Sequence, residues 1–125
     1  LTTVEARLAR KLIVFSDDAA LRDEVARALP ARWEATYAGS AAEVGEFQDV
    51  LLHRFALLDL DCGAGADPVD TVREIRGEML LNIPIFCFGG DAAARDAARL
   101  ARADRFFERD EIATRLPTLC ESFAW

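Results

Sequence analysis

The stretch Phe55-Ala56-Leu57-Leu58-Asp59-Leu60-Asp61 decides how the rest of the chain is read. Four consecutive apolar residues with no polar alternation predict a strand buried on both faces, which belongs in the middle of a parallel sheet with helices above and below. Asp59 then falls at the carboxyl end of that strand, with a second acid two residues on. Ligands of open α/β sheets bind outside the carboxyl ends of the strands, so an acid there is a candidate functional group before any other clue is used.

Strand and helix alternate on either side of it. Lys11-Leu12-Ile13-Val14-Phe15 repeats the buried-strand pattern and runs into Ser16-Asp17-Asp18 and a helix with Leu21, Val25, Ala28 and Leu29 at helical spacing, stopped by Pro30. A weaker strand covers Trp33 to Ala38. Gly39 and a Ser40 N-cap, with Glu43 three residues on, open a helix predicted to turn Val44, Phe47 and Leu51 inward. Past the central strand, Cys62-Gly63-Ala64-Gly65-Ala66 reads as a loop. Asp67-Pro68 then supplies the N-cap and first-turn proline of a helix burying Val69, Val72, Ile75 and Met79.

Ile83-Pro84-Ile85-Phe86-Cys87-Phe88 is the fourth strand, ended by Gly89-Gly90, and Asp91 caps an alanine-rich helix to about Arg102. Phe106-Phe107 predicts a short fifth strand. The last helix aligns Ile112, Leu116, Leu119 and Phe123, and Pro117 requires its regular part to start near Thr114. Residues 1–10, with Thr2 and Glu5 at capping-box spacing and Val4 and Leu8 on one side, predict a helical extension ahead of one domain spanning 11–125.

Five alternations with short connections predict an α/β protein: a doubly wound, flavodoxin-like parallel sheet of five strands in the order 2-1-3-4-5. The first and third strands are neighbours in that order, so Asp17 and Asp18 meet Asp59 and Asp61 at one switch point. Several carboxylates held together repel, two unit charges ~4 Å apart costing about 4 kcal/mol at an effective dielectric of ~20. A hard divalent cation is the economical neutraliser, since Mg²⁺ takes one or two carboxylates plus waters and leaves positions for phosphate oxygens. With Asp59 as nucleophile, a metal on Asp17 would offset the charge between the carboxylate and an anionic phosphoryl donor. The alternative is that each acid caps a helix and faces water.

Composition excludes other classes. A net charge of −7, from 22 acids against 15 bases with Lys11 the sole lysine, argues against nucleic-acid binding, which needs clustered cations. No apolar run approaches the ~20 residues that cross a bilayer. Cys62, Cys87 and Cys120 are odd in number and lack metal-site spacing, so they read as reduced thiols and, with no signal-peptide pattern, the expected location is the cytoplasm. His53 reads as a surface or boundary residue, and Trp33 and Trp125 have no site role.

From Lys11 onward the pattern resembles the receiver domain of two-component response regulators (CheY-like). Leu12-Ile13-Val14-Phe15-Ser16-Asp17-Asp18-Ala19-Ala20-Leu21-Arg22 is similar to the family's first strand, acidic pair and following Leu-Arg. The resemblance implies that Asp59 is the phosphoacceptor, that Asp17 is the direct Mg²⁺ ligand, that the Asp61 backbone carbonyl completes the metal site, and that Ser16, standing for the first acid, acts through water. Ile83-Pro84-Ile85 is similar to the fourth strand, and Ala103-Asp104-Arg105-Phe106 to the approach to the fifth, with Phe106 the aromatic switch. The departures are as informative. Gly89 stands where the family has a Thr or Ser hydroxyl, Arg109-Asp110 replaces Lys-Pro with Asp110 a competitor for the Arg109 charge, and the Gly63 loop lacks a proline and is one residue longer.

These changes imply a degenerate receiver, or pseudo-receiver, in which Mg²⁺ binds weakly and phosphorylation switches little. Gly89-Gly90 could offer backbone N–H groups as an anion nest instead. The implied partners are a sensor histidine kinase or other signalling protein, or a second copy across the face between the fourth and fifth helices, where Arg95, Arg99, Arg102, Arg105 and Glu108 to Glu111 mix both charges. No nucleic acid or membrane is implied for this domain, and no enzyme activity beyond self-phosphorylation or dephosphorylation at Asp59. Two rivals stand beside it. Asp59-Leu60-Asp61 also resembles the Asp-x-Asp motif of Mg²⁺-dependent, haloacid-dehalogenase-type phosphatases, although that motif lies on a first strand and has a lysine downstream, absent here. The other rival is a purely structural interaction module.

Overall fold

The computed structural model describes residues 4, 8–62 and 67–125. The expected capping box at Thr2 and Glu5 and the Gly63 loop lie outside the described residues, while Val4 and Leu8 are helical. Strands β1 (Arg10–Phe15), β2 (Trp33–Ala38), β3 (Phe55–Asp59), β4 (Ile85–Phe88) and β5 (Arg105–Phe107) form one parallel sheet in the order 2-1-3-4-5. Every residue of β3 is buried, as its unbroken apolar run requires in the middle of the sheet. Neighbouring side chains of β1 alternate across the sheet. Ile13 and Phe15 join one core with Ala56, Leu58 and Ile85, while Leu12 and Val14 join the other with Leu57, Phe86 and Phe88.

Helices α1 (Ala19–Ala28) and α6 (Ile112–Ser122) cover the second of these cores through Leu21, Val25, Ile112, Leu116 and Leu119. The other core takes Ala41 from α2 (Ala41–Val44), Val50 from α3 (Phe47–Leu51), Val69 and Val72 from α4 (Pro68–Arg73), and Ala98 from α5 (Ala92–Leu100). Among the described residues no helix is long and apolar enough to cross a membrane.

Three local expectations are corrected. The helix after Ser40 breaks in two at Gly45, whose φ of +139° suits glycine and whose Cβ would run into Asp49 Oδ2; Glu46 restarts the helix with a capping box to Asp49. The restart rotates the apolar stripe outward, so Phe47 and Leu51 are exposed at 54% and 58% rather than inward. The last helix begins at Ile112, not Thr114, and contains Pro117 in its middle on an exposed position. The α4 segment continues through a π-helical turn, Glu74–Glu78, that carries Ile75 and Arg76 into the interior.

Candidate functional site

Parallel register brings the carboxyl ends of four strands together. Phe15 pairs with Leu58 and Phe88 with Asp59, so the residues just beyond β1 and β4, Ser16 and Gly89, flank Asp59, and Arg109 follows two residues past β5. Asp59 is 1% exposed and every direction around its carboxylate is taken. Oδ2 accepts from Ser16 Oγ at 2.6 Å and from Arg109 Nη2 at 3.0 Å, while Oδ1 accepts from the Asp61 N–H at 2.9 Å and from Arg109 Nη1 at 2.6 Å. The guanidinium thus grips Asp59 as a two-pronged fork.

The same guanidinium reaches two more acids. Nη2 bonds Asp18 Oδ2, and Nη1 lies 3.2 Å from Asp61 Oδ2; the plane of the group packs 5.5 Å from the centre of the Phe88 ring. Asp18 also N-caps α1 through Ala20 and Leu21 N–H groups, and its carboxyl is held below the usual range first by the Arg109 hydrogen bond and then by that cap. Arg109 is in turn pushed above its ordinary value, chiefly by hydrogen bonding to Asp59. Asp110 is exposed and is not among the partners of Arg109, which corrects the expected competition.

Asp17 points elsewhere. It is exposed, lies against Cys62 and lines, with Asp59, Asp67, Asp70 and Glu74, a cavity of about 310 Å³. Burial, and then this carboxylate, push the Cys62 thiol up. Of the acidic pair it is therefore Asp18 that joins the Asp59 network. Ser16 spends its hydroxyl on Asp59 and accepts the Asp18 N–H at 3.2 Å, and Asp61 is engaged through its side chain, which accepts from Gly90 N–H at 3.0 Å. Among the described residues no three His, Cys, Asp or Glu side chains stand close enough to hold one metal ion. As arranged, a guanidinium already neutralises Asp18, Asp59 and Asp61, whereas Asp17, among the described residues, makes no ion pair, so a Mg²⁺ ion held by Asp17 and Asp59 would compete with Arg109 for Asp59.

Gly89 has φ +71°, and a Cβ there would collide with Asp61 Oδ2. Its N–H donates to Phe107 O at 3.2 Å and its carbonyl accepts from Arg95 Nε at 3.0 Å, while Gly90 N–H goes to Asp61, so the double glycine holds no free anion nest. Phe106 packs against the core on the α5 side, with the Arg99 guanidinium 4.8 Å from its ring centre. His53 is a boundary residue: Nδ1–H donates to Asp49 O at 2.9 Å, which leaves Nε2 to accept from Thr36 Oγ1 at 2.8 Å.

No protein-family model matches the sequence, and no curated protein matches it. Solved structures do match in fold. A response-regulator signal receiver domain from Bermanella marisrubri superposes with a TM-score of 0.73 at 23% identity, over 94% of this chain and 98% of that one. The receiver domain of a sensor histidine kinase from Pseudomonas aeruginosa PAO1, which holds a magnesium ion in its active-site cleft, gives 0.70 at 13% identity over 93% and 98%. The phosphorylated cyanobacterial phytochrome response regulator RcpA gives 0.68 at 15% identity over 90% and 89%. The chain has the CheY-like fold of response-regulator receiver domains.

Proposed function

We propose that this is a receiver-like signalling domain that acts in a two-component phosphorelay through protein–protein contact, with Asp59 in the phosphoacceptor position but closed by Arg109. One observation carries the reading. A carboxylate offers about four lone-pair directions, and Ser16, Asp61 and both Arg109 amino groups fill them on Asp59. Attack on a phosphoryl donor needs one of those lone pairs free, and here freeing it means separating a buried carboxylate from its guanidinium.

On this reading the charge work that a metal would do is done by Arg109. The partners are a sensor histidine kinase or another signalling protein, and the contact face, for them or for a second copy, is α5–β5–α6. That face carries the Arg95–Glu108 pair at 3.4 Å and the Arg99–Asp96 pair at 2.9 Å. Three free cysteines suit a reducing, cytoplasmic location. Enzyme activity is limited to self-phosphorylation and its reversal at Asp59.

Intact mass after incubation with Mg²⁺ and acetyl phosphate tests it. The wild type is expected to gain no phosphoryl group, while Arg109→Ala, which frees two of the four positions on Asp59, is expected to gain one. A phosphoryl group on the wild type that Asp59→Asn abolishes would contradict the closed site, and catalytic release of phosphate would favour the phosphatase.

A further inference from the structure

The edge of the sheet opposite the acidic cluster carries charge of the other sign. Arg10 and Lys11 open β1, Arg32 stands in the turn before β2, and Arg54 precedes β3; among the described residues none of the four makes an ion pair, although the chain carries −7 overall. Arg54 is 6% exposed. Its guanidinium donates only to carbonyl oxygens, those of Phe123 at 2.7 Å, Trp125 at 2.8 Å and Leu8 at 3.0 Å, and stacks 4.7 Å from the centre of the Trp125 ring. Arg10 holds the Ala124 carbonyl at 2.9 Å.

Capping the carbonyls at the end of α6 accounts for Arg10 and Arg54. It accounts for neither Arg32 nor the apolar surface beside them. Leu51, Leu52, Ile83, Pro84 and Trp125 line a cavity of about 480 Å³ together with Arg54 and three uncharged polar residues, Gln48, His53 and Asn82, and Arg10 and Arg32 line a second cavity that shares Trp125. Leu51 is 58% and Trp125 71% exposed. Exposed Trp beside Arg, over a cavity of ligand size with Leu51, Leu52, Ile83 and Pro84 in its wall, is the composition of an interface anchor.

We propose that this edge is a docking site for an acidic peptide segment of a partner protein, with an apolar side chain in the Leu51–Trp125 cavity and carboxylates on Arg10 and Arg32. The charge complementarity commits the occupant. A segment carrying Asp or Glu meets unpaired cations here and repulsion at the acidic edge opposite, on a chain of net charge −7. Nucleic acid is disfavoured because the cations are few. The proposal goes beyond the reading of Asp59 and is independent of it.

Backbone amide and indole N–H shifts, followed during titration with a synthetic Glu/Leu peptide in the absence of Mg²⁺ and phosphodonor, decide it. Saturable shifts confined to Arg10, Arg32, residues 51–54 and 82–84, and Trp125 are expected. Arg32→Glu and Leu51→Glu, both at exposed positions, are each expected to weaken binding roughly tenfold. Equal binding of a Lys/Leu peptide, preference for a single-stranded oligonucleotide, concentration-dependent shifts at these residues without peptide, or no saturation would each overturn the proposal.

Discussion

Arg109 is the residue on which the site turns. Removing it leaves Asp59 buried and charged with only Ser16 and a backbone N–H for company, so Arg109→Ala is expected to cost about 3 kcal/mol in urea unfolding. Arg109→Lys keeps the charge and loses the fork, and should fall between. Asp18 supplies a pH signature. Its carboxyl is held low in the folded state, so the stability it contributes is complete above the ordinary value of 3.8 and is lost as pH falls through the lowered one. Acid unfolding of Arg109→Ala should show a smaller component, since only the N-cap bonds then hold the carboxyl low. At Gly89 the missing hydroxyl cannot simply be restored: Gly89→Thr places a branched side chain at φ +71° against Asp61 and is expected to destabilise by about 1–3 kcal/mol without creating a switch, read from the same curves. Sequence spacing identifies the acids and the resemblance to receivers points to Arg109, but neither shows which acid Arg109 selects. Asp17 and Asp18 are chemically identical neighbours, and only the turn after β1 determines that Asp18 faces the guanidinium.

At the scale of elements, most boundaries were legible because buried-strand runs, N-caps and proline are local signals. What the sequence concealed depended on departures from helical periodicity. Phe47 and Leu51 keep helical spacing, yet Gly45 resets the helix phase and turns them outward; the π-helical turn carries Arg76 inward, where it holds Asp104 at 2.7 Å and three backbone carbonyls, a role with no sequence signal. Pro117 sits mid-helix on an exposed position of α6 and denies the Ala113 carbonyl its bond. Pro117→Ala is therefore expected to stabilise the protein by up to about 3 kcal/mol, seen as a raised urea midpoint. His53 ties α3 to β2, and burial holds its imidazole below the ordinary 6.5. The unfolded chain then takes up the proton first, so stability is complete above pH 6.5 and declines as pH falls through the lowered value. His53→Gln should flatten that decline between pH 7 and about pH 5.

Across the whole molecule, strand order and composition made the architecture readable, because a right-handed βα alternation of this length has few parallel-sheet solutions. The acidic edge was readable from the strand order, but the basic edge opposite it was not, since −7 is a sum and conceals it. Arg54 shows why: nothing near it in sequence announces that residues as distant as Leu8, Phe123 and Trp125 meet its guanidinium. On the proposed function, Arg109 keeps the acidic edge in one state, so that a phosphoryl mimic has little differential energy with which to move Phe106. Amide spectra with and without Mg²⁺ and beryllofluoride test it most directly. The account predicts unchanged spectra at Asp59, Phe106 and α6 in the wild type; large shifts spreading from Asp59 to Phe106 and into α6 would contradict it.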